Sequence, residues 1–163
     1  MTDIRTADPL AVLSAESAIH GLLARYVHYL DEGNFAGIAE LLQYADFDIV
    51  GTVVSGRQEI ETFLEGGIQR HADGTPRTWH TVANILIEVD PSGETATAHS
   101  YYTVHQQLDG FALQPIVTGK YLDRFEKHDG KWRFAHRALT AHSMGDIRHH
   151  VMGANSDAVE AIA

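Results

Sequence analysis

The sequence predicts an α+β fold in one domain, with helices first and a long antiparallel meander after them. Three observations lead there. Apolar residues recur at helical spacing as far as Ile68 and switch to period two from Trp79 onward. Turn signals at Asp90-Pro91-Ser92-Gly93, Asp109-Gly110 and Asp129-Gly130 divide the period-two region into runs of strand length. The 163 residues suffice for one full core, and no linker, repeat or low-complexity segment interrupts them. Helices followed by such a meander cover one face of a curved sheet.

The elements follow in order. Residues 1–8 are expected to fray. Asp8-Pro9 is a helix start, with Asp as cap and Pro in the first turn, and a second start is expected at Ser14. Ile19, Leu22, Leu23, Tyr26, Val27 and Leu30 then recur at helical spacing until Gly33 ends the run. Asn34 opens a short helix through Ile38, Leu41 and Leu42. Residues 46–54 (DFDIVGTVV) read as the first strand. Ser55-Gly56 leads into a third helix carrying Ile60, Phe63, Leu64 and Ile68. Strands are expected at 79–89, 95–108, 116–127 and 131–141. The tail, 141–163, has weak helical character and is placed over a pocket mouth or an interface.

Composition narrows the function. The chain has no Cys, so disulfides, thiolate metal sites and cysteine nucleophiles are excluded. Its formal net charge is -10, and no basic patch suited to nucleic acid or to an anionic membrane is visible. No signal peptide or membrane span is read, so a cytoplasmic location is the expectation. Eleven His is a high count and fits metal binding, acid/base chemistry or a well-satisfied core. His149 and His150 are adjacent and point apart in regular structure, so a metal site has little support. Isolated glycines indicate no phosphate cradle, and there is no Gly-x-Ser-x-Gly elbow.

One stretch raises a chemical question. In TWHTVANILIEV, residues 78–89, a regular strand places His80, Val82, Asn84 and Leu86 on one face. A buried imidazole without a partner costs about 1–3 kcal/mol. On the first helix, Ile19, Leu23 and Val27 lie four apart, and the next member of the row is Asp31. Asp31 is either solvated beside Glu32 or turned to the core. A core-facing Asp31 and a core-facing His80 satisfy each other. The carboxylate fixes the tautomer and stabilises the imidazolium, which makes His80 a general base.

Other positions are open in both directions. Tyr26 shares a row with Leu22 and Leu30 and is either a core residue or a proton donor. On residues 95–108, His99, Tyr101, Thr103 and His105 share one face, and Ala96, Ala98, Tyr102 and Val104 the other; parity does not say which face lines a pocket. Trp132, Phe134 and His136 oppose Arg133, Ala135 and Arg137 unless a bulge shifts the parity. Asn84 reads as a pocket wall or as a hydrogen-bond support for pocket side chains.

The ordered motifs YVHYLDEGNFAGIAELL, SGRQEIETFL, TWHTVANILIEV, ATAHSYYTV and GKYLDRFEKHDGKWRFAHR resemble the SnoaL-like branch of the nuclear transport factor 2-like superfamily, over roughly residues 14–140. The resemblance implies a cone-shaped roll, a strongly bent sheet wrapped on N-terminal helices around a deep pocket. It also implies dehydratase, dehydrochlorinase, isomerase or cyclase chemistry, often without a cofactor. Asp31 and His80 match the His–Asp base of those enzymes, and Tyr26 matches a proton donor of bile-acid dehydratase-like members. His105 is the closest match to a further pocket His, with His99 as alternative, and Tyr101 lies on the same face. Arg137 matches an Arg that helps hold a leaving group. The expected function is a cofactor-independent, dehydratase-type lyase acting on a mostly apolar cyclic substrate such as a steroid, polyketide or alicyclic. An isomerase or polyketide cyclase with the same pair, or a non-catalytic small-molecule binder, are the alternatives. A homo-oligomer is expected, a trimer before a dimer.

Overall fold

The computed structural model describes residues 8–154, so all but Asp8 of the start expected to fray, and residues 155–163 of the tail, lie outside the described residues. Helix α1 spans Pro9–Asp31; the Asp8 carboxylate accepts the Leu10 N–H at 3.1 Å, and Pro9 sits in the first turn. It runs straight through Ser14 instead of restarting there. Ser inside a helix costs only a few tenths of a kcal/mol, and Ala15 and Glu16 after it favour helix. One face buries Ile19, Leu22, Leu23, Tyr26 and Leu30. Helix α2, Phe35–Leu41, starts where the Asn34 side chain accepts the Gly37 N–H at 2.9 Å.

Residues 46–54 form a hairpin in place of the single expected strand. Strands β1 (Asp46–Ile49) and β2 (Thr52–Ser55) are joined by Val50 and Gly51, both at positive φ. The Asp48 carboxylate accepts the Gly51 N–H at 2.8 Å and holds the turn. Val is rare at positive φ, which is why the turn is not legible in the sequence. Helix α3, Arg57–Gly67, follows, and four long strands come after it: β3 (Thr78–Val89), β4 (Thr95–Leu108), β5 (Phe111–His128) and β6 (Lys131–Met144).

The six strands form one sheet in the order β2-β1-β6-β5-β4-β3. Among the described residues only β1 with β6 is parallel, and every other strand pair is antiparallel. The α+β class and the mixed, mainly antiparallel sheet on N-terminal helices agree with the expected architecture. Among the described residues no helix is long and apolar enough to cross a membrane.

Bulges decide which side chains face inward. On β3 the register shifts between Ala83 and Leu86, where Asn84 takes a positive φ that Asn tolerates. Val82 points in, the phase then flips, and Ile85 and Ile87 are half-buried while Asn84 and Leu86 are exposed. The shared face expected for His80, Val82, Asn84 and Leu86 therefore ends at Val82. On β6 the register shifts around Ala135, so Phe134 and Arg137, three residues apart, are both fully buried. The simple parity that set Phe134 against Arg137 fails at that residue.

Gly119 lies where β5, β6 and Tyr102 meet most closely. A Cβ there would stand 1.9 Å from the Thr140 carbonyl oxygen and 2.6 Å from the Tyr102 hydroxyl. Backbone cannot yield as a flexible side chain does. Gly119→Ala is therefore expected to lower stability by about 3 kcal/mol in urea unfolding, at the upper end of overpacking costs. Gly66→Ala, with open space around it, serves as the control and should not destabilise.

Candidate active site

The end of α1 is fastened before β3 begins. Gly33 takes a positive φ, and a Cβ on it would meet the Gly74 carbonyl at 2.6 Å. The Arg70 guanidinium donates to the Gly33 carbonyl oxygen at 3.1 Å. The loop that carries Gly74 leads straight into Thr78 and His80. This brings the first residues of β3 against the last residue of α1.

Asp31 accepts three hydrogen bonds there. The His80 Nδ1–H donates to Oδ1 at 2.5 Å, the Thr78 hydroxyl donates to Oδ1 at 2.8 Å, and the His80 backbone N–H donates to Oδ2 at 2.9 Å. The His80 side chain is 3% exposed and that of Asp31 21%. Burial raises the Asp31 carboxyl, but the hydrogen bonds and charge of His80, with the Thr78 hydroxyl, outweigh it and hold the group below its usual range.

His80 lines a cavity of 280 Å³ that is otherwise mostly apolar. Leu30, Phe47, Val104, Val117 and Leu139 supply much of its wall, and Tyr26, Tyr102 and Tyr121 stand in it with them. The three tyrosines form one layer. Tyr102 and Tyr121 stack at 4.5 Å between centroids, and Tyr26 meets Tyr121 edge-on at 5.9 Å. Burial pushes the Tyr102 phenol up to about 12 and raises Tyr26 and Tyr121 above 10 as well, so all three remain protonated donors at neutral pH.

Arg137 lies behind this layer and is not one of the cavity's lining residues. Its guanidinium carbon sits 4.0 Å from the Tyr26 ring centroid and 3.8 Å from that of Tyr121. One of its nitrogens donates to both Asp123 oxygens at 3.0 and 3.1 Å, while Nε and Nη2 have no hydrogen-bond partner among the described residues. Burial pushes the Asp123 carboxyl up to about 6, against the lowering influence of Arg137 and His99. Arg137 itself stays charged, since Asp123 and the tyrosines favour its cationic form over the cost of burial.

His80 and Tyr26 are thus brought to one cavity, and Asp31, which is not itself a lining residue, is hydrogen-bonded to His80 behind it. The remaining sequence-derived candidates are not. Tyr101 is exposed on the outer face of β4, with the Lys120 ammonium 5.3 Å from its ring centroid. His105 pairs with Trp79 on that same outer side, and Asn84 is the exposed bulge residue. The inward face of β4 is the Ala96, Ala98, Tyr102, Val104 set. Tyr102 and Tyr121 went unassigned because parity alone does not say which face is inside. Thr78 was legible in principle, two residues before His80 on the same face.

The start of the tail reaches the cavity too. Ile147, His150 and Val151 are lining residues. No group of three or more metal-ligating His, Asp or Glu side chains assembles among the described residues.

A family model of the SnoaL-like domain matches residues 11–138. The chain belongs to the SnoaL-like family. The solved structures it resembles include an ntf2-like protein with a cystatin-like fold from Novosphingobium aromaticivorans, 20% identical with a TM-score of 0.68, over 94% of this chain and 91% of its own. Rv3472, a protein of unknown function from Mycobacterium tuberculosis, is 24% identical with a TM-score of 0.69, over 94% of this chain and 88% of its own. A putative scytalone dehydratase from Novosphingobium aromaticivorans is 21% identical with a TM-score of 0.67, over 90% and 98%. The hexachlorocyclohexane dehydrochlorinase LinA-type3 from Novosphingobium barchaimii is 17% identical with a TM-score of 0.68, over 91% and 97%. At these identities the likeness establishes the fold and leaves activity open. No curated protein matches the chain significantly.

Beyond the matched residues, the titration of His150 is displaced toward acid. Burial, with the charges of His80 and His71, lowers its pKa from 6.5 to about 4, and Asp31 opposes the shift. Between those values the unfolded chain binds the proton and the folded one does not, so stability falls as the pH drops from 6.5 to 4. The swing is on the order of 3 kcal/mol, at about 1.4 kcal/mol per pKa unit. Urea unfolding of wild type and His150→Gln across this range is expected to show the variant with the flatter profile. Equal slopes would place the loss elsewhere.

Proposed function

We propose that this protein is a cofactor-independent lyase of the dehydratase type, with His80 as base. The observation that carries the reading is the hydrogen-bonded Asp31–His80 pair at the wall of a mostly apolar cavity. With Nδ1–H given to Asp31, the Nε2 lone pair is the one left for a substrate. His80 takes a proton from a carbon beside a carbonyl or similar group, and Asp31 stabilises the imidazolium. Tyr26 donates a hydrogen bond to the oxygen on which charge develops. The imidazolium then gives the proton to the departing hydroxyl, and water leaves.

The chemistry of the wall fits a neutral cyclic substrate with few polar groups. Ligand pockets commonly span about 300–1,000 Å³, so the 280 Å³ cavity favours an alicyclic or polyketide fragment of one or two rings over a whole steroid. Likeness to a putative scytalone dehydratase and to a dehydrochlorinase supports an elimination, since both names denote loss of a small molecule. An isomerase would use the same base and return the proton to another carbon; product analysis separates the two. A cytoplasmic homotrimer completes the proposal, motivated by Trp79, Leu86, Tyr101 and Leu122 exposed on the sheet's outer side. Sedimentation at micromolar concentration should give three times the chain mass, and a monomer would overturn it.

Kinetics test the roles once turnover of a cyclic β-hydroxy ketone is detected. His80→Ala is expected to lower kcat/KM by roughly 10²–10⁴-fold, the usual range for general-base loss. Asp31→Asn should cost heavily too, because the amide supports the wrong tautomer and cannot stabilise the imidazolium. The two losses should be far from additive, since they disable one unit. Wild-type turnover in His80→Ala would overturn His80 as the base. Tyr26→Phe should cost about 10²-fold if the hydroxyl holds the oxyanion, and a silent variant would move that role to Tyr102 or Tyr121.

A further inference from the structure

His150 stands apart from the groups used so far. It is a buried imidazole whose Nδ1 has no hydrogen-bond partner among the described residues, and His150 is one of the residues that line the same cavity as His80. A buried donor or acceptor left unmade costs about 1–3 kcal/mol, so such groups are normally satisfied. The protein has not left this ring to find its own place. The segment around it is pinned from three sides. The His149 carbonyl oxygen accepts from His71 Nε2 at 3.0 Å and from Gln106 Nε2 at 3.0 Å. The His150 carbonyl oxygen accepts the Gln69 N–H at 2.8 Å, and the Gly67 carbonyl oxygen accepts the Met152 N–H at 2.9 Å. Val151 bridges Ile68.

We propose that His150 is a substrate-binding residue that donates a ring N–H to an oxygen of a cyclic substrate enclosed beside His80. The argument is one of chemistry by exclusion. Much of the surrounding wall is apolar, formed by Ile68, Met144, Ile147 and Val151 among others, and cannot answer the imidazole. A molecule that carries an oxygen to that end of the cavity can. The ring is suited to donating while neutral, because burial keeps it uncharged at pH 7. A neutral imidazole can polarise a carbonyl in this way without supplying a proton. The inference rests on the proposed function only in making that oxygen the activating group for the proton His80 removes. Binding of an oxygenated ring at His150 stands without it. On this account His150 selects an oxygenated ring over a plain hydrocarbon of the same shape.

The test uses the full chain with two probes, 2-naphthol and naphthalene. Affinities are measured for wild type, His150→Leu and His150→Gln, and imidazole ¹⁵N shifts are followed in wild type. Wild type should bind 2-naphthol more tightly than naphthalene. His150→Leu should lose roughly three- to tenfold of that preference, the worth of one hydrogen bond, with naphthalene affinity kept. His150→Gln, which keeps an N–H donor, should retain most of the preference and guards against a folding defect in the Leu variant. The His150 ring nitrogens should shift on addition of 2-naphthol. An unchanged preference in His150→Leu, or 2-naphthol shifts at His80 with none at His150, overturns the proposal and leaves His80 as base untouched. No saturable binding of either probe overturns it as well. Conversely, a His150-dependent preference together with wild-type turnover in His80→Ala would uphold His150 while removing the base.

Discussion

Asp31 is a carboxylate at the wrong end of a helix. The C-terminus of α1 carries the negative end of the helix dipole, where an anion is disfavoured. It is kept ionised there by what β3 brings to it: the His80 ring, the His80 backbone N–H and the Thr78 hydroxyl. That requirement fixes more than one residue. The chain must turn sharply at Gly33, the loop through Gly74 must press against that turn, and β3 must begin beside the helix end. The same contact that settles the charge therefore sets the angle at which the sheet meets the helices, and with it one wall of the cavity.

The opposite wall depends on a second buried charge with a different solution. Arg137 is fully buried, and its counter-charge Asp123 is almost equally so. Buried ion pairs seldom add net stability, because desolvation offsets the attraction. Here the guanidinium carbon also sits 4.0 and 3.8 Å from the ring centroids of Tyr26 and Tyr121, which gives it aromatic neighbours in place of water. The layer of three tyrosines is in this way anchored from behind. The tyrosines that meet the cavity come from α1, β4 and β5, and the guanidinium that supports them comes from β6.

How much of this was legible follows from how local each signal is. The Asp31 row on α1 and the start of β3 at His80 are short-range periodicities, and both survive folding because nothing between the counted residues breaks the period. Tyr26 belongs to the same row logic. Asn84 and Arg137 lie at or beyond a bulge, and a bulge is a property of two paired strands, so one strand's alternation cannot reveal it. Tyr101 and His105 were separated from Tyr102 correctly as faces, but which face turns inward depends on where the helices pack. His150 carries no periodicity at all. Its place is set by hydrogen bonds from His71, Gln69 and Gln106, each distant along the chain. The Val50-Gly51 turn was hidden because Val is an unusual residue for it.

The orientation of the Arg137–Asp123 pair has an electrostatic consequence. The chain as a whole carries a formal charge of -10, so its surroundings repel anions. Behind the tyrosines, the pair turns its cationic end toward the rings of Tyr26 and Tyr121. The net charge of the chain and the charge nearest behind these two rings are thus opposed in sign. Under the proposed reaction, a neutral substrate approaches without the repulsion that a ready-made enolate would feel. The negative charge appears only after a proton has been lost, beside the wall that has the Arg137 guanidinium behind it. Such an arrangement discriminates by when a molecule becomes charged as well as by its shape.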